Sequence, residues 1–537
     1  MRARHIASAA SLLTLACLAT ASPAVAQSGS GRQVNVTPYL GVDQVVIAPL
    51  KGDGDVLTYT NVSAGVTADM RTRRYEVVAD VRYDHSFGWG SQTSDADVIS
   101  GILQTQVNLA RGLSLNAGAL ATRVRTDGFS GPVIRNNSLT SQIYSGYVGP
   151  TYATKVGDFD VAASYRLGYT RVEDDVTAAF PGAPSGGSFD QSWTHSLGAS
   201  VGFVPGTLLP VGLVASGGYD REDARQLDQR FEDVWGRVDA TLPVAPTVAL
   251  VGGVGYEKIE ISQRSPLIDT VTGAPVINSS GRYVTDESSP RALIYDQDGI
   301  IWDAGVLWRP NHRTSLEARV GQRYGSMTYS GSFVWTGRNS SFALVVFDGI
   351  DSFGRVINSN VAALSGNGLN VVRNPFTGDL GGCAFSATGG GQCFNDSLTG
   401  ITDANFRYRG VTAQYAMRAG PWNWGVGAGY SQRKFITPRG ETVFVDGTRD
   451  ENWWGTATLG YAIDRQSTID TTAYVNYFNP AGGGRVDTVN YGGFASYNRT
   501  LGRRLTASAS LGIDAAKADD FESVITAMGQ LGLRYGF

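Results

Sequence analysis

The sequence predicts an all-β fold: a single transmembrane antiparallel β-barrel of the bacterial outer membrane, with about 22 strands, short periplasmic turns and long extracellular loops. Three observations lead there. The chain ends on a strand whose alternate residues are Leu531, Leu533, Tyr535 and Phe537, with Gly532, Arg534 and Gly536 between them. Alternate side chains of a strand point to opposite faces, so one face of this strand is apolar and aromatic and the other small or polar. A terminal aromatic on such a strand resembles the signal that barrel-assembly machinery reads. The chain begins with the features of a secretory leader. Between the two ends, period-two alternation recurs in segments of about 10–17 residues, separated alternately by short turns and long polar loops.

The leader comes first. Arg2 and Arg4 are its charged region, Ile6 to Thr20 its apolar region, and Ala24-Val25-Ala26 a small-residue cleavage site. Residues 1–26 are therefore expected to be removed, leaving a short segment, 27–33, ahead of a barrel over 34–537. Cys17 raises the alternative of a lipoprotein, but Thr14 stands where a lipobox wants Leu.

The strands follow. In Tyr75 to Tyr83 the odd residues Tyr75, Val77, Ala79, Val81 and Tyr83 share one face, and Glu76, Val78, Asp80 and Arg82 share the other. The two tyrosines stand roughly 20 Å apart along the membrane normal for a strand tilted ~40°, near the height of an outer-membrane apolar band. The pattern returns at Val161–Tyr169, Ile300–Trp308, Trp453–Ile463 and Leu505–Ile513. Leu197 to Gly218 is uncharged and long enough for a membrane helix, but Pro205, Pro210 and its glycines break it into two strands around a Pro-Gly-Thr-Leu-Leu-Pro turn. Short connectors fall at Thr72-Arg73, Arg111-Gly112, Gly157-Asp158, Pro205-Gly206, Pro243 to Pro246, Pro310-Asn311, Arg338-Asn339, Gly420-Pro421, Arg465-Gln466 and Leu501-Gly502. Longer or more polar links alternate with them, apart from one tight link near Gly325. The longest, 263–294 and 348–402, are the candidates to fold inward and occlude the lumen. The second carries Cys383 and Cys393, whose spacing in an oxidising compartment favours a local disulfide. Such a bridge would contribute ~2–3 kcal/mol toward ordering the loop.

Composition agrees. Charged residues are 17% of the chain and glycine is 68 of 537 residues, while mean hydropathy is only −0.11. A helical membrane protein would be far more apolar. The net charge of −4 and the lack of a basic run give no sign of a nucleic-acid partner.

The segment Leu307-Trp308-Arg309-Pro310-Asn311-His312-Arg313-Thr314-Ser315-Leu316-Glu317-Ala318-Arg319-Val320-Gly321-Gln322-Arg323-Tyr324-Gly325 resembles one found in outer-membrane β-barrel proteins associated with exosortase and exopolysaccharide gene clusters. The opening Val36-Thr37-Pro38-Tyr39-Leu40-Gly41-Val42 resembles the start of the same family, and the similarity spans residues 32–537. The resemblance implies an outer-membrane location and a part in surface-polysaccharide or surface-protein export, with export-system proteins as partners besides lipid and the barrel-assembly machinery. The large Cys-bearing loop departs from simpler members of that family.

No catalytic, metal or cofactor constellation stands out, so the chain is read as no enzyme and as needing no cofactor. His85, His195 and His312 lack a nearby Ser and Asp at a recognisable spacing. Asp296, Asp298, Gly299 and Asp303 look faintly like a calcium loop without its bidentate Glu. The functional candidates are charges expected to face the lumen: Glu76, Asp80 and Arg82; Asp233, Arg237 and Asp239; Glu317, Arg319 and Arg323. They either orient water and ions across a pore or pair across neighbouring strands and stabilise the wall. Trp235 shares the face of Asp233 and Arg237 and could stack sugars. The leading reading is a channel or export conduit. The alternatives are a plugged barrel acting as a scaffold of the cell envelope, and a surface enzyme.

Overall fold

The computed structural model describes residues 33–537 except 53–54, 90–95, 126–139, 175–188, 279–281, 365–368, 388, 390, 399, 439–445, 482–485 and 520–521. The leader and most of segment 27–33 lie outside the described residues. Twenty-two strands hydrogen-bond to one another in chain order, every pair antiparallel. The ring closes where the first strand, Gln33–Lys51, meets the last, Val524–Gly536, with Val42 opposite Leu533 and Tyr39 opposite Gly536. Closing the ring leaves no terminal strand unpaired, which is what a sheet needs to cross lipid.

Its outer face is apolar. Leu531, Leu533, Tyr535 and Phe537 are all exposed on it, as are Ile300, Trp302 and Trp308. On the adjacent strands Trp422–Ile436 and Arg449–Ala462, Trp422 packs on Tyr461 and Tyr430 packs on Trp453, each pair with ring centroids 4.3 Å apart. These two aromatic pairs bracket a band roughly 20 Å tall for strands tilted by ~40°. In water such a surface would have to be covered. In a bilayer lipid covers it, and the amphipathic rings sit at the two interfaces. The chain is a transmembrane β-barrel of the bacterial outer-membrane type.

The short connectors fall at one end of the ring and the long ones at the other, except for the tight link 324–325 at the long-loop end. Small boundary shifts have local causes. The strand Gln229–Ala245 runs through Pro243, because a register shift between Pro243 and Ala245 accommodates the missing N–H, and the turn moves to residues 246–247. The strand Ala292–Asn311 likewise runs through Pro310, its pairing shifting beyond Trp308, and the turn expected at Pro310-Asn311 moves to residues 312–313. The loop expected at 348–402 is instead 352–404, since its flanking strands continue to Asp351 and resume at Asn405. The loop expected at 263–294 is shortened to 264–291 in the same way.

The apolar core lies inside the barrel, between the 352–404 segment and the wall. That segment folds inward as a helix, Phe353–Ala363, followed by a small sheet of three strands, Leu369–Arg373, Leu380–Ser386 and Gln392–Cys393. Ile357 and Val361 of the helix are fully buried among Ile102, Leu120, Val124, Ile143 and Val172 of the wall.

Candidate functional site

The site is the lumen, and the insert occupies it. Ser352 caps the helix by accepting from the Arg355 N–H at 3.2 Å, and its own hydroxyl donates to the Glu222 carboxylate of the wall. Arg355 lies over the Phe231 ring, 3.3 Å from its centroid. Farther along, Asn358 donates to the Gly146 carbonyl at 2.9 Å, and Gln104 of the wall donates to the Val361 carbonyl at 2.6 Å.

The small sheet turns at residues 374–379, and several bonds hold this turn to the wall. Asn374 accepts from the Phe376 N–H and, through its carbonyl, from Gly378. Phe376 is wholly buried against Phe494, while Tyr59 donates to its carbonyl at 2.9 Å. Asp379 takes a two-pronged hydrogen bond from Arg123, with Nη2 to Oδ2 at 2.6 Å, and both side chains are almost completely buried. Arg373 reaches Asp80 at 2.8 Å and Ser100 at 2.7 Å. A bidentate guanidinium–carboxylate pair fixes orientation as well as distance.

The far tip of the insert is bridged by a disulfide between Cys383 and Cys393. It rests on the strand Trp422–Ile436, where glycine makes the room. A Cβ at Gly427 would come within 2.9 Å of the Cys393 sulfur, and one at Gly425 within 2.5 Å of the Phe385 ring. Ser341, near the short-turn end, donates to the Ser386 carbonyl at 2.6 Å. The insert therefore runs most of the depth of the barrel.

The lumen charges divide into two groups. Asp80 and Arg82 do not line an open pore. Asp80 binds Arg373 of the insert and so anchors the plug, whereas Arg82 is enclosed within the wall with Asp84 at 2.6 Å and Asp43 at 3.1 Å. Glu76 lies on the same face, half-buried. On the opposite wall, Arg237 binds Asp239 and Asp303, each at 2.7 Å. Arg319 binds the same two aspartates at 2.8 Å and Glu317 at 2.6 Å. This lattice crosses the strands Gln229–Ala245, Ala292–Asn311 and Thr314–Arg323 and stays partly exposed to the lumen. Arg323 binds Glu257 and stands 3.8 Å from Asp233. Trp235 lies along the wall over Gly218, where a Cβ would come within 2.6 Å of its ring. The charges thus pair across neighbouring strands, and those of the lattice still face water.

Asp43, Asp84, Glu222, Arg123, Ser352, Arg373 and Asp379 were not among the sequence candidates. Asp84 continues the alternation of Asp80 and Arg82, and Asn374-Pro-Phe-Thr-Gly-Asp379 is a strong turn signal. Their partners lie too far apart in sequence for spacing to reveal them.

The second long loop, 264–291, sits over the long-loop end. Tyr283 packs beside Val356 of the insert and Phe406 and Phe435 of the wall. Asp269 and Asp286 close small turns within the loop. Donation by the Val271 N–H to Asp269, and by the Ser288 hydroxyl to Asp286, holds both carboxyls below the ordinary carboxylate range.

The histidines do not converge. His85 Nδ1 is 2.7 Å from Asp97, His195 Nδ1 is 2.8 Å from the Tyr165 hydroxyl, and His312 sits in a short turn. Among the described residues, no three His, Cys, Asp or Glu side chains are grouped so as to hold a metal ion.

No family model matches the chain, and no curated protein does. Solved structures similar to it include the ferric-catecholate import receptor Fiu of E. coli K12 in its open form, at 10% identity and a TM-score of 0.44, over 93% of this chain and 81% of that one. The FrpB iron transporter of Neisseria meningitidis (F5-1 variant) is similar at 11% identity and a TM-score of 0.42, over 93% and 82%. The alcaligin outer-membrane receptor FauA of Bordetella pertussis is similar at 11% identity and a TM-score of 0.38, over 93% and 76%.

Proposed function

We propose that the chain is an outer-membrane conduit for hydrophilic cargo, shut by its own insert and opened when that insert shifts. The observation that carries this reading is the asymmetry of the lumen. One wall is buried beneath the insert, whereas the other presents the partly hydrated lattice of Arg237, Asp239, Asp303, Glu317 and Arg319. Charged, glycine-rich walls suit the passage of water-borne material and serve no purpose for a cylinder that only needs filling. The resemblance of residues 307–325 to barrels of exosortase and exopolysaccharide clusters supports a cargo of surface polysaccharide, moving outward. One observation favours a second reading, a permanently plugged scaffold: the Arg123–Asp379 anchor is buried and bidentate, which suits a plug that never moves.

Planar-bilayer conductance of the refolded protein separates the two. The full chain is expected to be silent or to open rarely, and a variant with residues 353–403 replaced by a short Gly-Ser link to give large, stable steps. Rare full openings of the intact protein support the conduit. Permanent silence of the intact protein, under voltage and denaturant levels that leave the barrel folded, supports the scaffold. Small steps after deletion would overturn the idea that the insert is what closes the lumen.

A further inference from the structure

A cavity of about 830 Å³ lies at the long-loop end, between the capping loop 264–291 and the upper ends of the neighbouring strands. This is the size of a ligand site for a few sugar rings. Its lining is polar: Arg171, Arg225, Arg264 and Arg282, the carboxylates Asp190, Asp228 and Glu287, and Gln226, Asn278, Tyr283 and Thr285. We propose that it binds an acidic oligosaccharide through carboxylate groups on the sugar.

The arginines do two jobs. Arg264 and Arg282 are committed to building the cavity. Arg264 binds Asp228 at 2.9 Å and the Glu287 carbonyl at 2.9 Å. Arg282 binds Asp190 at 3.2 Å and the carbonyls of Val172 and Phe189 at 3.3 Å. These bonds tie the capping loop to two strands and fix the shape of the cavity.

Arg171 and Arg225 are differently placed. Arg225 is 72% exposed at its side chain, and Asp190 is 3.8 Å away, beyond hydrogen-bond length. Arg171 is half-exposed, and its ion pair among the described residues is with Glu173, which does not line the cavity. Both forks therefore keep donors for a ligand. Two of the three lining carboxylates are already neutralised, Asp190 by Arg282 and Asp228 by Arg264 and Arg291. The field left over is positive, and a planar guanidinium matches a carboxylate with two parallel bonds. Thr285 adds a hydroxyl to the lining.

The cavity also abuts the insert. Tyr283 packs beside Val356, and Phe189, whose carbonyl Arg282 holds, lies with its ring 5.1 Å from that of Phe353. A ligand seated there presses on the residues that hold the start of the insert helix. This coupling rests on the conduit reading, whereas the binding does not.

The test is titration calorimetry of the full-length refolded protein with a short oligogalacturonate, against a malto-oligosaccharide of equal length. Binding of the acidic probe alone, weakening as salt rises, is expected. The double variant Arg171→Ala/Arg225→Ala should weaken it at least about tenfold, the loss of one or two charge-assisted bonds. Both positions are exposed, so the barrel should keep its heat-dependent gel mobility. Arg338→Ala, at the opposite end of the barrel, should change nothing. Equal binding of the neutral sugar, no binding at all, or full affinity in the double variant would overturn the site. Binding that leaves bilayer conductance unchanged would sink the coupling while the site stands.

Discussion

Arg123 and Asp379 belong to opposite bodies, one to the wall and one to the plug, and both are hidden from water. Their attraction offsets the cost of burying them, so the informative change is the one that breaks the pair. Asp379→Ala leaves a guanidinium buried without its counter-charge, a loss on the order of 3–5 kcal/mol. The 22-strand ladder should hold, because it does not pass through Asp379, and the loss should fall on the seating of the insert against Arg123. The expected outcome is a barrel that still runs as a folded species on a gel, but whose insert is cut faster by trypsin. An unchanged rate of cleavage would mean that the apolar contacts of the helix suffice to hold the plug. The alternation in Glu76–Arg82 showed which side chains face inward, and the structure keeps them there. That Asp80 would meet Arg373 was illegible, because hundreds of residues separate them and no local period links the two.

At the scale of elements, what was legible is what repeats. The short turns were found because each ends two alternating segments. The tight link at Gly325 stood out because it breaks the long-short rhythm, and there Tyr324 and Gly325 both adopt positive φ, 55° and 66°. That link shortens two strands. Ala292–Asn311 pairs with its neighbour Thr314–Arg323 only from Trp302 onward, so its upper half lacks a partner on that side. Side chains cross above the link instead, Arg407 reaching the Ser326 hydroxyl and stacking near Tyr324. The inner sheet was not legible, since its short, irregular strands carry no period long enough to read. Glycine inside a strand goes with weak pairing or with close approach, and Gly425 and Gly427 of Trp422–Ile436 serve close approach. Gly425→Leu therefore tests how the insert is seated. The new side chain must displace the Phe385 ring, since the wall backbone is held by ladders on both sides. The disulfide-bridged tip is expected to lift, and the bilayer trace to gain brief openings that the parent lacks. A trace identical to the parent's would show that this wall is not where the insert seals.

For the whole molecule the decisive event is closure, and it joins the two most distant parts of the chain. The last strand must find the first, and the pairing runs from Tyr39–Gly536 up to Lys51–Ile525. Such a contact carries the greatest loop-closure entropy in the fold and forms late unless something brings the ends together. Phe537 makes few contacts that would stabilise the seam. Its N–H donates to the Pro38 carbonyl at 3.0 Å, its ring meets Tyr535 edge-on at 5.2 Å, and it is otherwise exposed on the lipid side. Lipid tails solvate a phenyl ring about as well as they solvate its neighbours, so Phe537→Ala should cost the finished barrel little. The backbone bond to Pro38 survives the substitution. The effect should fall on assembly: less folded protein in the outer membrane and more unfolded chain in the periplasm, while the purified, refolded variant melts within a few degrees of the parent. Comparing the folded fraction in cell envelopes with the melting temperature of refolded protein separates the two roles. A large drop in melting temperature would make Phe537 a structural member of the seam, and an unchanged folded fraction in cells would remove the terminal aromatic as an assembly signal.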